Sequence, residues 1–193
     1  MDFKFLLNSI KNILTTPRSY WNTIQTEQTS EKVIRNSLIL PLIFIVSVAV
    51  ITGSLIFINT ELSAVYSIFQ GIKTFVLLLA VVYSTSFILK EITYPLDLGR
   101  DFTIAFRLVA FSLVPFLLCS IVSSVFESLL FINILGLYGL YVFWTGAIIF
   151  LNPPQHKRMP MLIATTILLT VFYAIFDIVL STITDRVFYA FFE

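Results

Sequence analysis

The sequence contains few of the residues that build reactive sites. Its 193 residues include one cysteine, one histidine and only 12% charged residues. A single thiol, Cys119, excludes an intramolecular disulfide and a cysteine-based metal cluster, because both need at least two thiols. Clusters of His, Glu and Asp with metal-ligand spacing and phosphate-binding glycine loops are also missing. We therefore expect no cofactor and no bound metal.

Charge is scarce because most of the chain is apolar. Hydrophobic residues make up 58% of the sequence and its mean hydropathy is +0.96, whereas soluble domains are roughly 45–50% apolar and ~25% charged. The net charge of +1 argues against a nucleic-acid partner, since such binding relies on a surplus of positive charge. The expected partner is the lipid bilayer.

Five apolar stretches are long enough to cross a membrane, which takes about 20 residues as a helix. They are residues 38–58, 72–89, 102–126, 129–151 and 161–183. They predict an all-α, polytopic bundle of five transmembrane helices. Residues 62–71 are fairly apolar and could extend the second span or lie at the interface. Only Glu127 and Ser128 separate the third and fourth spans, which are therefore expected to be antiparallel neighbours.

The basic residues predict the orientation, because cytoplasmic loops carry an excess of Lys and Arg. If the N-terminus is cytoplasmic, only Lys73 and Arg186 lie outside, and the other ten of the 12 Lys and Arg residues lie inside. We expect a multi-pass protein of the cell (inner) membrane with its N-terminus in the cytoplasm and its C-terminus outside.

The N-terminal segment is amphipathic. Apolar residues recur at helical spacing, at Phe3, Leu6, Ile10 and Ile13. This pattern predicts an interfacial helix, and the opening of the chain lacks the apolar run of a secretory signal, so we expect Met1 onward to be retained. Pro17 suits the start of a second short helix. Tyr20 and Trp21 are expected to anchor in the headgroup region, where amphipathic rings are enriched.

These patterns predict three regions. Residues 1–36 form a cytoplasmic amphipathic segment, residues 37–184 the five-span domain and residues 185–193 a short outer tail.

The fifth span has a polar face. Polar side chains recur there every three or four residues, at Thr166, Thr170, Tyr173, Asp177 and Ser181. Ser and Thr commonly hydrogen-bond to neighbouring helices or backbone in membranes, which is one interpretation. The alternative is a hydrated path or small-solute site with Asp177 as a proton or cation ligand, because ionisable residues inside membranes are costly and often functional.

The predicted cytoplasmic side carries a basic face that could contact anionic lipid. It consists of Arg100, Arg107, His156, Lys157 and Arg158. Arg107 lies only about 8 Å into the third span, so its long side chain can extend back to the headgroups.

Glycines and prolines mark the remaining features of the spans. Gly136, Gly139 and Gly146 fall close to one face of the fourth span, which predicts close helix packing or a dimer face. Pro41 lies near the start of the first span, where the loss of a backbone hydrogen bond costs little stability. Pro115 lies near the middle of the third span and should kink it unless packing compensates.

The residue inventory argues against an enzyme. An intramembrane Ser–His protease needs a histidine within the bundle, but His156 lies in a loop. An aspartyl type needs two membrane-embedded Asp residues, and this chain has only Asp177.

The sequence resembles the YIP family, the Ypt/Rab-interacting five-span membrane proteins, in its compact bacterial form. The similar features are spread over nearly the whole chain, namely segment 17–27, Pro41, segments 99–102 and 105–115, segment 137–141 with Gly146, and the basic loop that follows. The resemblance implies a five-span helical bundle with a cytoplasmic N-terminus and no enzymatic activity. It does not imply a Rab-type GTPase partner, because the Asp-Leu-Tyr-Gly-Pro motif of eukaryotic members is missing.

Two functions follow as expectations. The first is a non-enzymatic membrane protein that acts through protein or lipid contacts at its cytoplasmic face, with other membrane proteins or a second copy as partners. The alternative is a small-solute or ion transporter or channel that uses the polar face around Asp177.

Overall fold

The computed structural model describes residues 3–27, 29–57, 63–94 and 99–192. Every element in these ranges is helical. The predicted end of the first span at residue 58, and residue 62 of the segment before the second span, lie outside the described residues.

Within the described ranges, five helical stretches are long and apolar enough to cross a membrane, which confirms the prediction of an all-α five-span bundle. Two shorter helices precede them, α1 (Phe3–Thr15) and α2 (Pro17–Glu27). The first span combines α3 (Glu31–Ile34), a π-helical segment (Arg35–Ile39) and α4 (Leu40–Phe57), and the second is α5 (Ser63–Thr93). The third is α6 (Phe102–Val125), the fourth joins a 3₁₀ segment (Glu127–Leu137) to α7 (Tyr138–Leu151), and the fifth is α8 (Gln155–Phe192).

The helices are longer and less regular than the apolar stretches alone indicated. The second helix begins at Ser63, so residues 63–71 extend it and do not form a separate interfacial segment. The fourth span starts as a 3₁₀ segment with a kink at Leu129, whereas a regular helix was expected. Because α6 packs along this segment, tertiary contact holds a conformation that is uncommon in long runs.

Prolines affect the first and third spans differently. A proline ring clashes with the carbonyl four residues earlier in a regular α-helix, and for Pro41 that residue is Ser37. Ser37 lies within the π-helical segment, whose wider turn relieves such a clash. In α6 the helix continues without interruption through the buried Pro115.

The third span forms the centre of the bundle. Helix α6 packs against α4, α5, α7 and the 3₁₀ segment and is the most buried span, whereas α8 packs mainly against α5 and is the least buried. Successive spans alternate in direction, so the bundle has two ends. We call the end with Arg100 and Asn152 the N-terminal face and the end with Phe126 the C-terminal face.

Helices α1 and α2 form a hairpin that packs on the flank of the bundle. Helix α2 runs parallel to α7, because Trp21 Nε1 donates to the carbonyl of Val142 at 3.0 Å and Gln25 Nε2 donates to that of Ile149 at 3.3 Å. At the tip, the Tyr138 hydroxyl donates to the carbonyl of Leu14 at 3.1 Å. Of the apolar face of α1, which the sequence assigned to the membrane interface, Leu6 and Ile13 are covered by protein, whereas Phe3 is 59% exposed.

The glycines of the fourth span serve packing within the chain. A Cβ at Gly139 would overlap the carbonyl of Ser112 in α6, and one at Gly146 would contact the indole of Trp21 at 2.5 Å. The close-packing interpretation is confirmed. The glycine face is occupied by the protein itself, so it does not supply a dimer interface.

Candidate functional site

The polar face of α8 lies beside a cavity of about 580 Å³. Thr166, Thr170, Tyr173 and Asp177 line it, and Ser181 accepts a hydrogen bond from Lys73 just beyond it. The structure thus brings the five polar residues of the fifth span to one side of the helix, around a single feature.

The threonines of this face bond to their own helix. The hydroxyl of Thr166 donates to the carbonyl of Leu162, and that of Thr170 to the carbonyl of Thr166, both at 2.9 Å. A hydroxyl that is satisfied by its own backbone has less need of water or a solute. The chemically available end of the polar face is therefore the part around Asp177.

Asp177 is paired with a lysine of the second span. The ammonium of Lys73 lies 3.0 Å from Oδ1 of Asp177 and donates to Oγ of Ser181 at 2.9 Å. The Lys73 side chain is 14% exposed and that of Asp177 is 40% exposed. Charge-assisted hydrogen bonds of this length are strong when water is scarce. The pair is the only salt bridge that the described residues form between two spans.

Sequence reasoning missed Lys73. No Lys or Arg lies near Asp177 in the sequence, and Lys73 is contributed by another helix. One indication was present, because the charge pattern placed Lys73 and Asp177 toward the same side of the bilayer. Two opposite charges at similar depth in a membrane are expected to pair.

The cavity is enclosed by all five spans. Its walls include Val46 of α4, Leu78 of α5, Phe116 of α6, Phe143 of α7 and Leu169 of α8. Helix α8 packs only sparsely against α7, so these two helices leave space between them.

The exposed lining residues mark the mouth of the cavity. Of the described residues that line it, the exposed ones are Leu137 of the fourth span, at 63%, and Thr170 and Tyr173 of the fifth, the latter at 41%. The ring of Tyr173 contacts that of Phe116 edge to face, with centroids 6.3 Å apart. The mouth therefore lies between the fourth and fifth spans, at a level where both helices are within the apolar stretch.

The residues of the predicted basic face have different surroundings. Arg100 binds the carboxylate of Glu91, with Nη2 and Oε2 2.7 Å apart, and this hydrogen bond raises the pKa of Arg100. Arg158 donates to the carbonyl of Pro153 at 2.9 Å. His156 is exposed and Lys157 is half-buried with an interaction of its own.

Arg107 lies partly inside the bundle. Its guanidinium is 6.0 Å from the centroid of the Phe150 ring, and its Nε is buried without a hydrogen-bond partner among the described residues. An aromatic face is a favourable neighbour for a cation in a membrane. With Arg100 and Arg158 also engaged within the chain, this set is less free for outside contacts than the sequence indicated.

The two aromatic anchors are placed differently from expectation. Trp21 is fully buried, and its indole packs edge to face against Phe111 and Phe150. It therefore contacts protein and not headgroups, because the hairpin folds onto the bundle. The half-buried Tyr20 bonds to Ser9, with 2.6 Å between the hydroxyl oxygens. Burial raises the pKa of Tyr20, an effect that the Ser9 hydrogen bond partly offsets.

The described residues bring together no group of three or more His, Cys, Asp or Glu side chains that could hold a metal ion. Cys119 is half-buried, with a free thiol.

Comparison with known proteins identifies the family. A family model described as the Yip1 domain matches residues 11–176. No curated protein and no solved structure matches significantly. The matched residues include the α2 segment, all of the first four spans and the fifth span almost as far as Asp177. The chain therefore belongs to the Yip1 domain family and is a multi-pass helical membrane protein.

Proposed function

We propose that this Yip1-domain protein is not an enzyme and that it works by binding a ligand within the membrane, in the cavity beside α8. The observation that carries the proposal is the Lys73–Asp177 pair at the edge of a cavity of about 580 Å³. Ligand pockets typically occupy ≈ 300–1,000 Å³ and combine an apolar lining with a few polar groups. A charge pair within a membrane is costly and is usually functional.

The shape of the cavity favours binding over conduction. Its lining ends at Ser112 in α6, Phe143 in α7 and Thr165 in α8, well before the N-terminal face. Beyond these residues lies the packed core, which includes the fully buried Phe106 and Phe111. A transporter or channel around Asp177 would need a second conformation that opens this core. Binding requires only the conformation described here.

Filling the cavity is expected to abolish ligand binding. We expect Thr166→Trp to lower the retention of lipid or solute at least ten-fold, because Thr166 lines the cavity and the indole would occupy it. Retention is measured by native mass spectrometry of the purified full chain after incubation with a total lipid and metabolite extract of its host. Ile167→Trp is the control, since Ile167 is the next residue, is 56% exposed and does not line the cavity. Equal retention by both variants would contradict the proposal.

A second candidate function is contact with a membrane protein through the α1–α2 hairpin. Its outward flank exposes Lys11, Thr15, Arg18 and Asn22 although the hairpin lies beside the fourth span. Polar groups that face hydrocarbon are expensive, so such a flank is stabilised by headgroups, water or a polar partner. This exposed polar flank supports protein or lipid contacts at the hairpin.

Site-specific photocrosslinking tests that contact. A photoreactive residue at Arg18 is expected to give one discrete protein adduct in membranes, and one at the exposed Ile178 of α8 is not. Adducts with lipid alone at both positions would rule out a protein partner at the hairpin.

We further propose that the N-terminal face is cytoplasmic and that the protein lies in the cell (inner) membrane, as the distribution of Lys and Arg supports. In a Cys119→Ser background, Gln155→Cys at the N-terminal face is expected to resist a membrane-impermeant maleimide on intact cells. Tyr189→Cys, near the end of α8 and 55% exposed, is expected to react. The opposite labelling pattern would invert the orientation.

A further inference from the structure

The Lys73–Asp177 pair has both a hydrogen-bond donor and a hydrogen-bond acceptor available for a ligand. An ammonium has three N–H donors; Lys73 donates one of them to Ser181, and it lies 3.0 Å from Oδ1 of Asp177 in a salt bridge. The carboxylate of Asp177 is bound at Oδ1, and its Oδ2 has no hydrogen-bond partner among the described residues. The side chain of Asp177 is 40% exposed, so Oδ2 is within reach of a ligand. The site offers one donor and one acceptor a few ångströms apart.

The cavity wall changes in polarity along its length. On α5, the lining begins with Gln70, Lys73 and Thr74 and continues, toward the N-terminal face, with Leu77, Leu78 and Val81. The polar end on α5 thus lies nearer the C-terminal face. Near the middle of the bundle the lining hydroxyls, those of Ser112, Thr165 and Thr166, donate to their own helices. A lipid in the leaflet at the C-terminal face has the same direction, with its head toward the surface and its chains toward the midplane.

The mouth faces the hydrocarbon part of the membrane. It lies between Leu137 and Tyr173, and Thr170 forms part of its rim. Tyr173 is 12 residues beyond Met161, where the apolar stretch of the fifth span begins, which is about 18 Å along a helix. That is close to the middle of a hydrocarbon core of ≈ 30 Å. A ligand that enters here comes from among the lipid chains.

We infer, on the basis of the proposed ligand-binding function, that the cavity takes a phospholipid with a zwitterionic head that carries a primary ammonium and a phosphate. The phosphate accepts from a remaining N–H of Lys73, and the ammonium of the lipid donates to Oδ2 of Asp177. One acyl chain lies along Leu77, Leu78 and Val81, and the rest of the lipid passes through the mouth into the bilayer. An anionic head without an ammonium would leave Asp177 facing a negative charge.

Headgroup selectivity tests the inference. The purified full chain is titrated in detergent with phosphatidylethanolamine and with phosphatidylglycerol of the same acyl chains, and bound lipid is measured by native mass spectrometry. We expect phosphatidylethanolamine to bind at least ten-fold more tightly. The double variant Lys73→Met with Asp177→Leu removes both charges together, and it is expected to lose this preference while it still binds phosphatidylglycerol.

The mouth is tested with a matched pair of variants on one helix. Thr170→Trp is expected to lower phosphatidylethanolamine binding at least ten-fold, because the indole would occupy the mouth through which the rest of the bound lipid passes. Ile178→Trp is expected to leave it unchanged, since Ile178 is 66% exposed and does not line the cavity.

The outcomes separate the ligand class from the ligand-binding function. If phosphatidylglycerol binds as tightly as phosphatidylethanolamine and Thr170→Trp abolishes the binding of both lipids, the cavity does not select a zwitterionic head. The proposal that the cavity binds a ligand is then still supported. If soluble phosphoethanolamine binds as tightly as the lipid, the ligand is a solute, and the assignment of a phospholipid is contradicted. If Thr170→Trp and Thr166→Trp change the binding of none of these probes, both the ligand class and the function fail.

Discussion

Replacing Trp21 by alanine is expected to detach the N-terminal hairpin from the bundle. The indole is fully buried, packs against Phe111 and Phe150 and donates to the carbonyl of Val142. Truncation of a buried Trp to Ala costs about 3–5 kcal/mol. We expect a loss of that size in the free energy of unfolding, measured by denaturant titration in mixed micelles. Proteolysis of residues 3–27 should also become faster.

Two variants show whether the loss comes from this location. Trp21→Phe keeps an aromatic ring but removes the N–H donor, so it should cost about 1 kcal/mol, the net value of a typical hydrogen bond. Trp144→Ala is the size-matched control, because Trp144 is only half-buried. If Trp144→Ala destabilises as much as Trp21→Ala, the hairpin does not depend on the Trp21 indole.

Removal of Lys73 alone is expected to be the second large effect. Lys73→Met leaves the Asp177 carboxylate without the cation that lies 3.0 Å from it. Breaking a buried pair by removing one partner costs about 3–5 kcal/mol. Because the Asp177 side chain is 40% exposed, we expect the lower end of that range. The measurement is again the free energy of unfolding in mixed micelles.

Removing both charges together shows whether Lys73 and Asp177 affect stability as a pair. Replacement of a buried ion pair by apolar residues of similar size is often neutral or stabilising, so Lys73→Met with Asp177→Leu should recover most of the loss. Lys90→Met is the control, since Glu91, which lies 3.3 Å from Lys90, keeps a second partner in Arg100 at 2.7 Å, so this loss should cost only about 0–1 kcal/mol. A double variant as unstable as Lys73→Met would show that the charges do not act as a pair.

The fourth span shows how much of the architecture local pattern predicts. Its apolar length predicted the span, the two-residue interruption before it predicted antiparallel packing against α6, and its glycines predicted the close contact at Gly139. The 3₁₀ conformation of Glu127–Leu137 was not predictable. It depends on how residues such as Gly136 fit against Phe116 of α6, and that fit is not encoded in the hydropathy of the segment.

The N-terminal hairpin shows where an amphipathic pattern is ambiguous. The spacing of Leu6 and Ile13 correctly indicated a helix with one apolar face. The same face can be covered by lipid or by protein, because both are apolar partners. The contact between Trp21 and Gly146 holds the hairpin against the bundle, so that protein covers much of this face. This contact joins residues that are far apart in the sequence.

The polar face of α8 was likewise only half predictable. Its periodicity placed Thr166, Thr170 and Asp177 on one side of a helix, as the structure has them. The cavity beside that face arises because α8 packs mainly on α5 and stands away from α7. Such a gap is a property of several helices together, so no single segment could indicate it.

The division between what the sequence determines and what the tertiary structure determines arises because the membrane is the solvent. The sequence by itself determined the five helices, because apolar length and the need to satisfy backbone hydrogen bonds within each segment leave few alternatives in a bilayer. Which helix faces touch was decided only by the tertiary structure, because lipid and protein are nearly equal as apolar surroundings and packing in three dimensions chooses between them. The pairing of Lys73 with Asp177, the burial of Trp21 and the cavity between the fourth and fifth spans all belong to that second level.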